Sequence, residues 1–195
     1  MAKIPDNVSY AQAAALALGA QTGYQIITED LNVQADESVL ILGGAGSVGL
    51  TALQMAKLRG ASEIFTTAVG EGINFLKQFD PSLHVIDARA EQLAKMIPEG
   101  VDVILDTIGS DALKQALSVL KPTGRLVSLV GDDSDVRVTH GYLKSNGEQL
   151  RDLLQLVSED KIKVIISDIK PFNVENLKTF QTLKHVIGKL VLTFE

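Results

Sequence analysis

The 195-residue chain has no cysteine, no run of basic residues and no apolar stretch long enough to cross a membrane. Each absence removes a class of function. Without cysteine there is no disulfide framework and no thiolate metal site. Glutamates, lysines and glycines interrupt every apolar run well short of the roughly 20 residues a spanning helix needs. A net charge of −6 without clustered Lys and Arg argues against nucleic acid as a partner, because binding a phosphate backbone takes concentrated positive charge. The N-terminus carries Lys3 as its one basic residue and no apolar core before a cleavage site, so no secretory signal is expected and the cytoplasm is the expected location. What remains is 46% hydrophobic and 22% charged, the balance of one soluble domain able to bury a real core.

Short β-branched runs alternate with helical patterns along the chain. "SVLILG" (38–43), "EIFTTAV" (63–69), "LHVIDA" (83–88), "VDVILDT" (101–107) and "GRLVSLV" (124–130) read as strands. Between them, "VGLTALQMAKLRG", "GINFLKQF", "AEQLAKMI" and "DALKQALSVL" place apolar residues at helical spacing. This alternation predicts a doubly wound parallel sheet between two helical layers, a three-layer α/β/α fold in one domain. Residues 1–37 form an N-terminal helical segment whose Ala-rich stretch Gly19 and Gly23 are expected to divide, and residues 38–195 form the body. After the fifth strand come "VRVTHGYL", the helical "NGEQLRDLLQLVSED", "IKVIISDI", a second helix and a last strand "GKLVLTF". A parallel crossover usually takes a dozen residues or more, yet only "DDSD" separates "LVSLVG" from "VRVTH". Either that strand does not run parallel beside the fifth, or a loop near 131–135 is missing.

Gly44, Gly46 and Gly49 form G-x-G-x-x-G directly after a strand and at the start of a helix, the context in which this pattern points to a dinucleotide. Gly44 would permit the tight turn, Gly46 the approach of a pyrophosphate, and Gly49 close packing of helix on strand, with Ser47 and Val48 offering free amides. Ligands in open α/β sheets lie outside the carboxyl ends of the strands. That adds Thr107, Ile108 and Gly109 after the fourth strand and Leu129, Val130 and Gly131 after the fifth. Asp106 serves as readily to anchor its loop as to move protons. His84, His140 and His185 lie far apart without ligand spacing and read as structural or solvent-facing, as does Tyr24.

"KIPDNVSYAQAAALALGAQTGYQII", the glycine-rich segment, "VDVILDTIGSDALKQALSVLKPTGRLVSLVG" and the final "HVIGKLVL" resemble the medium-chain dehydrogenase/reductase family, in its zinc-independent, zeta-crystallin-like quinone oxidoreductase branch. The resemblance implies a Rossmann domain that binds NADP(H), with NAD(H) a possible alternative, and passes hydride to quinones, enones or related carbonyls. It puts Thr22 near the nicotinamide and Thr66, Thr67 and Ala68 near the adenosine ribose. Leu18 stands where zinc-dependent relatives have a cysteine ligand, so no metal is expected. Relatives carry a GroES-like barrel before "IPDNVSYAQAAAL", and the chain is expected to be the cofactor half alone, with little turnover of its own. No catalytic residue is assigned within it. A homodimer is expected through the "VRVTHGYL" edge.

Relatives that use NADP often have a lysine after the second strand and a tyrosine after the third. The matching positions here are Gly72 and Ala88, with Arg59, Lys77 and Arg89 as possible substitutes. Two other classes stay open at this stage. One is a class I S-adenosylmethionine-dependent methyltransferase, which shares the glycine-rich turn and a segment like "LKPTGRLV". The other is a dinucleotide-binding module without chemistry.

Overall fold

Side-chain alternation along the first strand determines the layers. In β1 (Ser38–Leu42) every residue is buried. Val39 and Ile41 pack into one core with Ile27, Leu53 and Leu153, whereas Leu40 and Leu42 pack into a second with Leu93, Leu113 and Leu126. A strand buried on both faces belongs in the middle of a three-layer structure. Each of these side chains contributes roughly 1.5–3 kcal/mol by leaving water. The structure, a computed structural model, describes residues 1–131 and 135–194.

The remaining strands of the main sheet are β2 (Glu63–Ala68), β3 (His84–Asp87), β4 (Val101–Asp106), β5 (Leu120–Ser128) and β6 (Val138–His140). Their order is β3-β2-β1-β4-β5-β6, with every pair parallel. That is the Rossmann order, and its direction reverses between β1 and β4. The helices of this unit are α1 (Tyr10–Ala15), α2 (Gln21–Gln25), α3 (Ser47–Leu58), α4 (Glu71–Phe79), α5 (Leu93–Met96), α6 (Ser110–Leu117) and α7 (Gly147–Ser158). The segments α2, α3 and α7 supply the core that holds Ile41, while α5 and α6 supply the other.

Three features depart from the sequence pattern. The N-terminal helix is not divided by its glycines. It runs through residues 10–30, with π-helical turns at Leu16–Ala20 and Ile26–Asp30. The glycines serve packing instead: a Cβ at Gly19 would stand 2.5 Å from the Ser47 hydroxyl, and one at Gly23 would stand 3.0 Å from the Ala52 nitrogen. Their bare backbone lets this helix lie directly against α3. Second, β6 does run parallel beside β5, pairing Leu126 with Val138 and Ser128 with His140. The suspected missing loop falls on residues 132–134, which lie outside the described residues. Third, β7 (Ile166–Pro171) and β8 (Lys189–Thr193), joined through α8 (Val174–Thr182), pair in parallel with each other as a separate two-stranded sheet.

The three central strands are tied together at both ends. At their amino ends, Asp102 on β4 accepts from the Ser38 amide at 2.9 Å and hydroxyl at 2.7 Å on β1, and from the Lys121 ammonium at 3.0 Å on β5. At their carboxyl ends, the Ser128 hydroxyl and Asp106 tie β5 to β4, and the Thr107 hydroxyl ties the end of β4 to β1 by donating to the Leu42 carbonyl at 2.8 Å. Partial burial by itself would raise the Asp102 pKa, but the bonds from Ser38 and then Lys121 outweigh it and hold the carboxyl down to about 2. A carboxylate depressed in this way stabilises the fold fully above its unfolded pKa of roughly 4. That contribution disappears as pH falls through about 2. Thermal melts between pH 5 and pH 2 should therefore show a steeper acid loss for the native chain than for Asp102→Asn, which starts less stable but cannot be protonated at that site.

Candidate functional site

Residues 43–46 carry the chain from the end of β1 to the start of α3. Gly43 is in the left-handed region at φ +80°. Its amide donates to the Thr67 hydroxyl at 3.1 Å, and its carbonyl accepts from the Gly46 amide at 3.1 Å. The conformational demand of the turn thus falls on Gly43, not on Gly44 as the spacing indicated. Gly44 is small for a different reason: a Cβ there would collide with the Thr66 hydroxyl and stand 3.1 Å from the Leu53 side chain. At Gly49 a Cβ would strike the Gly43 carbonyl and stand 2.6 Å from the Gly44 Cα, so only glycine lets α3 approach the turn. Gly46 is open, with the Gly43 oxygen at 3.5 Å the nearest atom to an added Cβ.

The start of α3 has no side-chain cap, as is also true of α4, α5 and α6. Ser9, Asn146 and Asn173 cap α1, α7 and α8 with their side chains, whereas Gly46 caps α3 with none. The first intrahelical bond recorded there is from the Leu50 amide to the Gly46 carbonyl. The amides of Ser47, Val48 and Gly49 therefore lie ahead of the helical ladder, at the positive end of the helix dipole. Gly46, just ahead of this end, lines a cavity of about 340 Å³, whereas Ser47, Val48 and Gly49 are not among its lining residues. Its lining joins Gly43, Ala45 and Gly46 to Thr67 and Ala68 of β2 and to Thr107 and Ile108 after β4. Leu42, Val69, Leu93 and Ala112 make it largely apolar, while Glu91, Gln115 and His185 add polar groups.

Of the residues the sequence singled out, Gly46, Thr67, Ala68, Thr107 and Ile108 line this cavity. Thr66 does not; it is fully buried, and its hydroxyl donates to the Ile41 carbonyl at 2.8 Å, tying β2 to β1. Thr22 is buried in the N-terminal helix, where its hydroxyl donates to the Leu18 carbonyl. Gly109 abuts the end of β5, since a Cβ on it would lie 3.3 Å from Val130 and 3.5 Å from Gly131. Leu129 continues that join by donating its amide to the Asp106 carbonyl at 2.9 Å.

Asp106 proves to be an anchor. It is fully buried, and one of its oxygens accepts from the Ile108 and Gly109 amides at 2.8 and 2.9 Å. The other accepts from the Ser128 hydroxyl at 2.7 Å, and that hydroxyl accepts from the Gly131 amide at 2.8 Å. One carboxylate and one hydroxyl thus hold both strand-end loops in register. All acceptor positions face inward, which leaves Asp106 without an open route to substrate.

The cations named as candidate phosphate ligands do not reach the cavity. Arg59 is held at the far end of α3 by the Val33 carbonyl and the Asn32 side chain. Neither Lys77 nor Arg89 is among the lining residues. Gly72 and Ala88 do line it. Among the histidines, His84 stacks on Phe65 and His140 meets Tyr142 edge-on. Burial and then the nearby Asp152 push the Tyr24 hydroxyl pKa up. Among the described residues no group of three or more His, Cys, Asp or Glu is arranged to hold a metal ion. Sequence reasoning missed Gly43, Glu91 and His185. Gly43 had a signal in the doubled glycine, whereas the other two enter the site through tertiary contacts that no local pattern encodes.

The family model described as zinc-binding dehydrogenase matches residues 47–149, more than half of the chain. The chain belongs to the medium-chain dehydrogenase/reductase family. Over 192 residues it is 33% identical to 2-methylene-furan-3-one reductase of Solanum lycopersicum, covering 96% of this chain and 48% of that protein. Over the same length it is 30% identical to NADPH-dependent alkenal/one oxidoreductase, chloroplastic, of Arabidopsis thaliana, with the same coverages. Among solved structures, the quinone oxidoreductase from Coxiella burnetii is similar at 31% identity and a TM-score of 0.85, over 97% of this chain and 62% of that one. The chain therefore spans about half the length of the curated relatives it matches, and it is the dinucleotide-binding part of the family architecture. Family and strand order together set the methyltransferase reading aside.

The two glycines of the helix start should separate cleanly on substitution. Gly46→Leu should stay within about 1 kcal/mol of native stability, because its space is open and its backbone ordinary, while losing at least about tenfold in dinucleotide affinity. Gly49→Val should destabilise the fold by about 1–3 kcal/mol or more through overpacking. Thermal denaturation and calorimetric titration of both variants read the difference.

Proposed function

We propose that this domain holds NADP(H) for a zinc-independent oxidoreductase that reduces quinones, enones or related activated carbonyls. One observation carries the reading: an open glycine at an uncapped helix start lines an apolar cleft at the point where strand order reverses. Gly46 leaves the space a pyrophosphate needs, and Ser47, Val48 and Gly49 provide amides to hold it. The apolar lining around Ile108, Leu93 and Ala112 suits an adenine ring, with Thr67 and Ala68 at the ribose. Gly109, Leu129, Val130 and Gly131 would form the wall toward the nicotinamide, positioned through Asp106 and Ser128. The dinucleotide, when bound, supplies the hydride. The chain's own share is to orient it and to exclude water from one side, which is where much of the rate of such a transfer arises.

The finer points rest on different supports. NADP(H) is favoured by the NADPH-dependent relative, while NAD(H) remains compatible with a lining that contains no Lys or Arg. Zinc independence rests on Leu18 at the position of a zinc ligand in zinc-dependent relatives. A cytoplasmic location rests on the cysteine-free composition. No helix among the described residues is long and apolar enough to cross a membrane. Residues 1–37 and 38–195 would act as one unit. The free edge of β6 suits pairing with a second copy, since an exposed strand invites augmentation.

Oxidation of NADPH and NADH against a panel of quinones and enones, with this chain and with a product extended at its N-terminus to the relatives' length, tests the activity. Turnover in the extended form with little in the 195-residue chain is expected. Equal activity in both would show that no further half is needed, and inactivity in both would favour a binding module. Light scattering at micromolar concentration should give twice the 20.9 kDa chain mass, and a monomer would contradict pairing through β6.

A further inference from the structure

The segment before β8 closes back over the glycine-rich turn. The Gly188 amide donates to the Ala45 carbonyl at 2.8 Å, and Gly188 forms a parallel bridge with Gly46. Gly188 adopts φ +73°, and a Cβ on it would collide with the Ile165 carbonyl, so the contact requires glycine. His185 is also in the left-handed region, at φ +55°. Such a conformation is uncommon outside glycine, although histidine is among the residues enriched there. Its consequence is positional: His185 and Val186 line the same cavity as Gly43, Gly46 and Thr107. Of the described lining side chains, imidazole is the one able to carry positive charge, and Glu91 is the carboxylate. Lys189, farther along, lines a separate small cavity beside Ser47.

We infer that His185 is a phosphate-binding residue of the dinucleotide site, donating a hydrogen bond to the pyrophosphate in the cavity it shares with Gly46. This rests on the dinucleotide reading above and adds to it a ligand from the C-terminal segment. A single helix start supplies only partial charge, whereas a pyrophosphate carries full negative charge in a largely apolar cleft. An N–H donor elsewhere on the cavity lining offsets that imbalance. The strap held by Gly188 keeps the ring near the turn without a long side chain having to be ordered.

Calorimetric titration of the 195-residue chain with adenosine, ADP, NADH and NADPH tests the assignment in the native protein, His185→Gly and His185→Lys. Glycine suits the backbone at this position and removes the ring; lysine restores an N–H donor. ADP and both dinucleotides should bind roughly three- to tenfold more weakly to His185→Gly, with adenosine unchanged. His185→Lys should recover most of the loss, and the difference should narrow at high salt. Phosphate-ligand affinities unchanged by His185→Gly would overturn the assignment while leaving the dinucleotide site standing. An equal loss for adenosine and ADP would overturn it too, since that points to a shape role rather than phosphate contact. Failure of the native chain to bind either dinucleotide would overturn the function proposed above and this inference with it. Melting temperatures of the variants separate folding defects from loss of a ligand.

Discussion

The closeness with which α3 can approach the turn before it governs everything at the mouth of the sheet. With hydrogen in place of a side chain at Gly49, the helix start lies against Gly43 and Gly44, next to Gly46, which lines the cleft. Gly44 gives the same closeness on the other side, against Thr66 and Leu53. The N-terminal helix then packs on α3 through Gly19 and Gly23, so the cradle is backed by a second bare-backbone contact. A Cβ at any of these positions except Gly46 pushes elements apart. Gly46 alone has space to spare, and that space belongs to the site.

The central strands convert this local geometry into a fixed platform. Asp102 with Ser38 and Lys121 ties β1, β4 and β5 at one end, and Asp106 with Ser128 ties β4 to β5 at the other. The two carboxylates have different surroundings. Asp102 is partly exposed and paired with a cation, whereas Asp106 is fully buried among amides and a hydroxyl. A buried carboxyl group accepting that many bonds is costly to disturb, because loss of one donor leaves a buried acceptor unsatisfied. The loops 107–109 and 129–131 are thus positioned by two fully buried side chains beneath them.

Much of this was legible in the sequence, because the signals were local. The short β-branched apolar runs "SVLIL" and "VDVILD", helical spacing between the strands, and glycines between a strand and a helix each reflect short-range geometry. What was not legible depended on partners distant in the chain. Gly19 and Gly23 look like helix breakers until Ser47 and Ala52 are seen beside them. Thr66 and Thr67 are indistinguishable by type, yet alternation along β2 ties the first to β1 and turns the second toward the cleft. His185 is exposed, as read, and its place on the cavity lining shows only once Gly188 pins its segment to Ala45. The parallel placement of β6 after so short a connection had no local signature, and neither did the pairing of β7 with β8 apart from the main sheet.

The central claim is that the amides at the start of α3 receive the pyrophosphate. Backbone amide NMR of the chain during titration with NADPH measures this residue by residue. The largest shifts should fall on Gly46, Ser47, Val48 and Gly49, with smaller ones at Thr67, Ala68 and Ile108 along the cleft. Saturable shifts confined to other surfaces, with the amides of residues 46–49 unmoved, would contradict it.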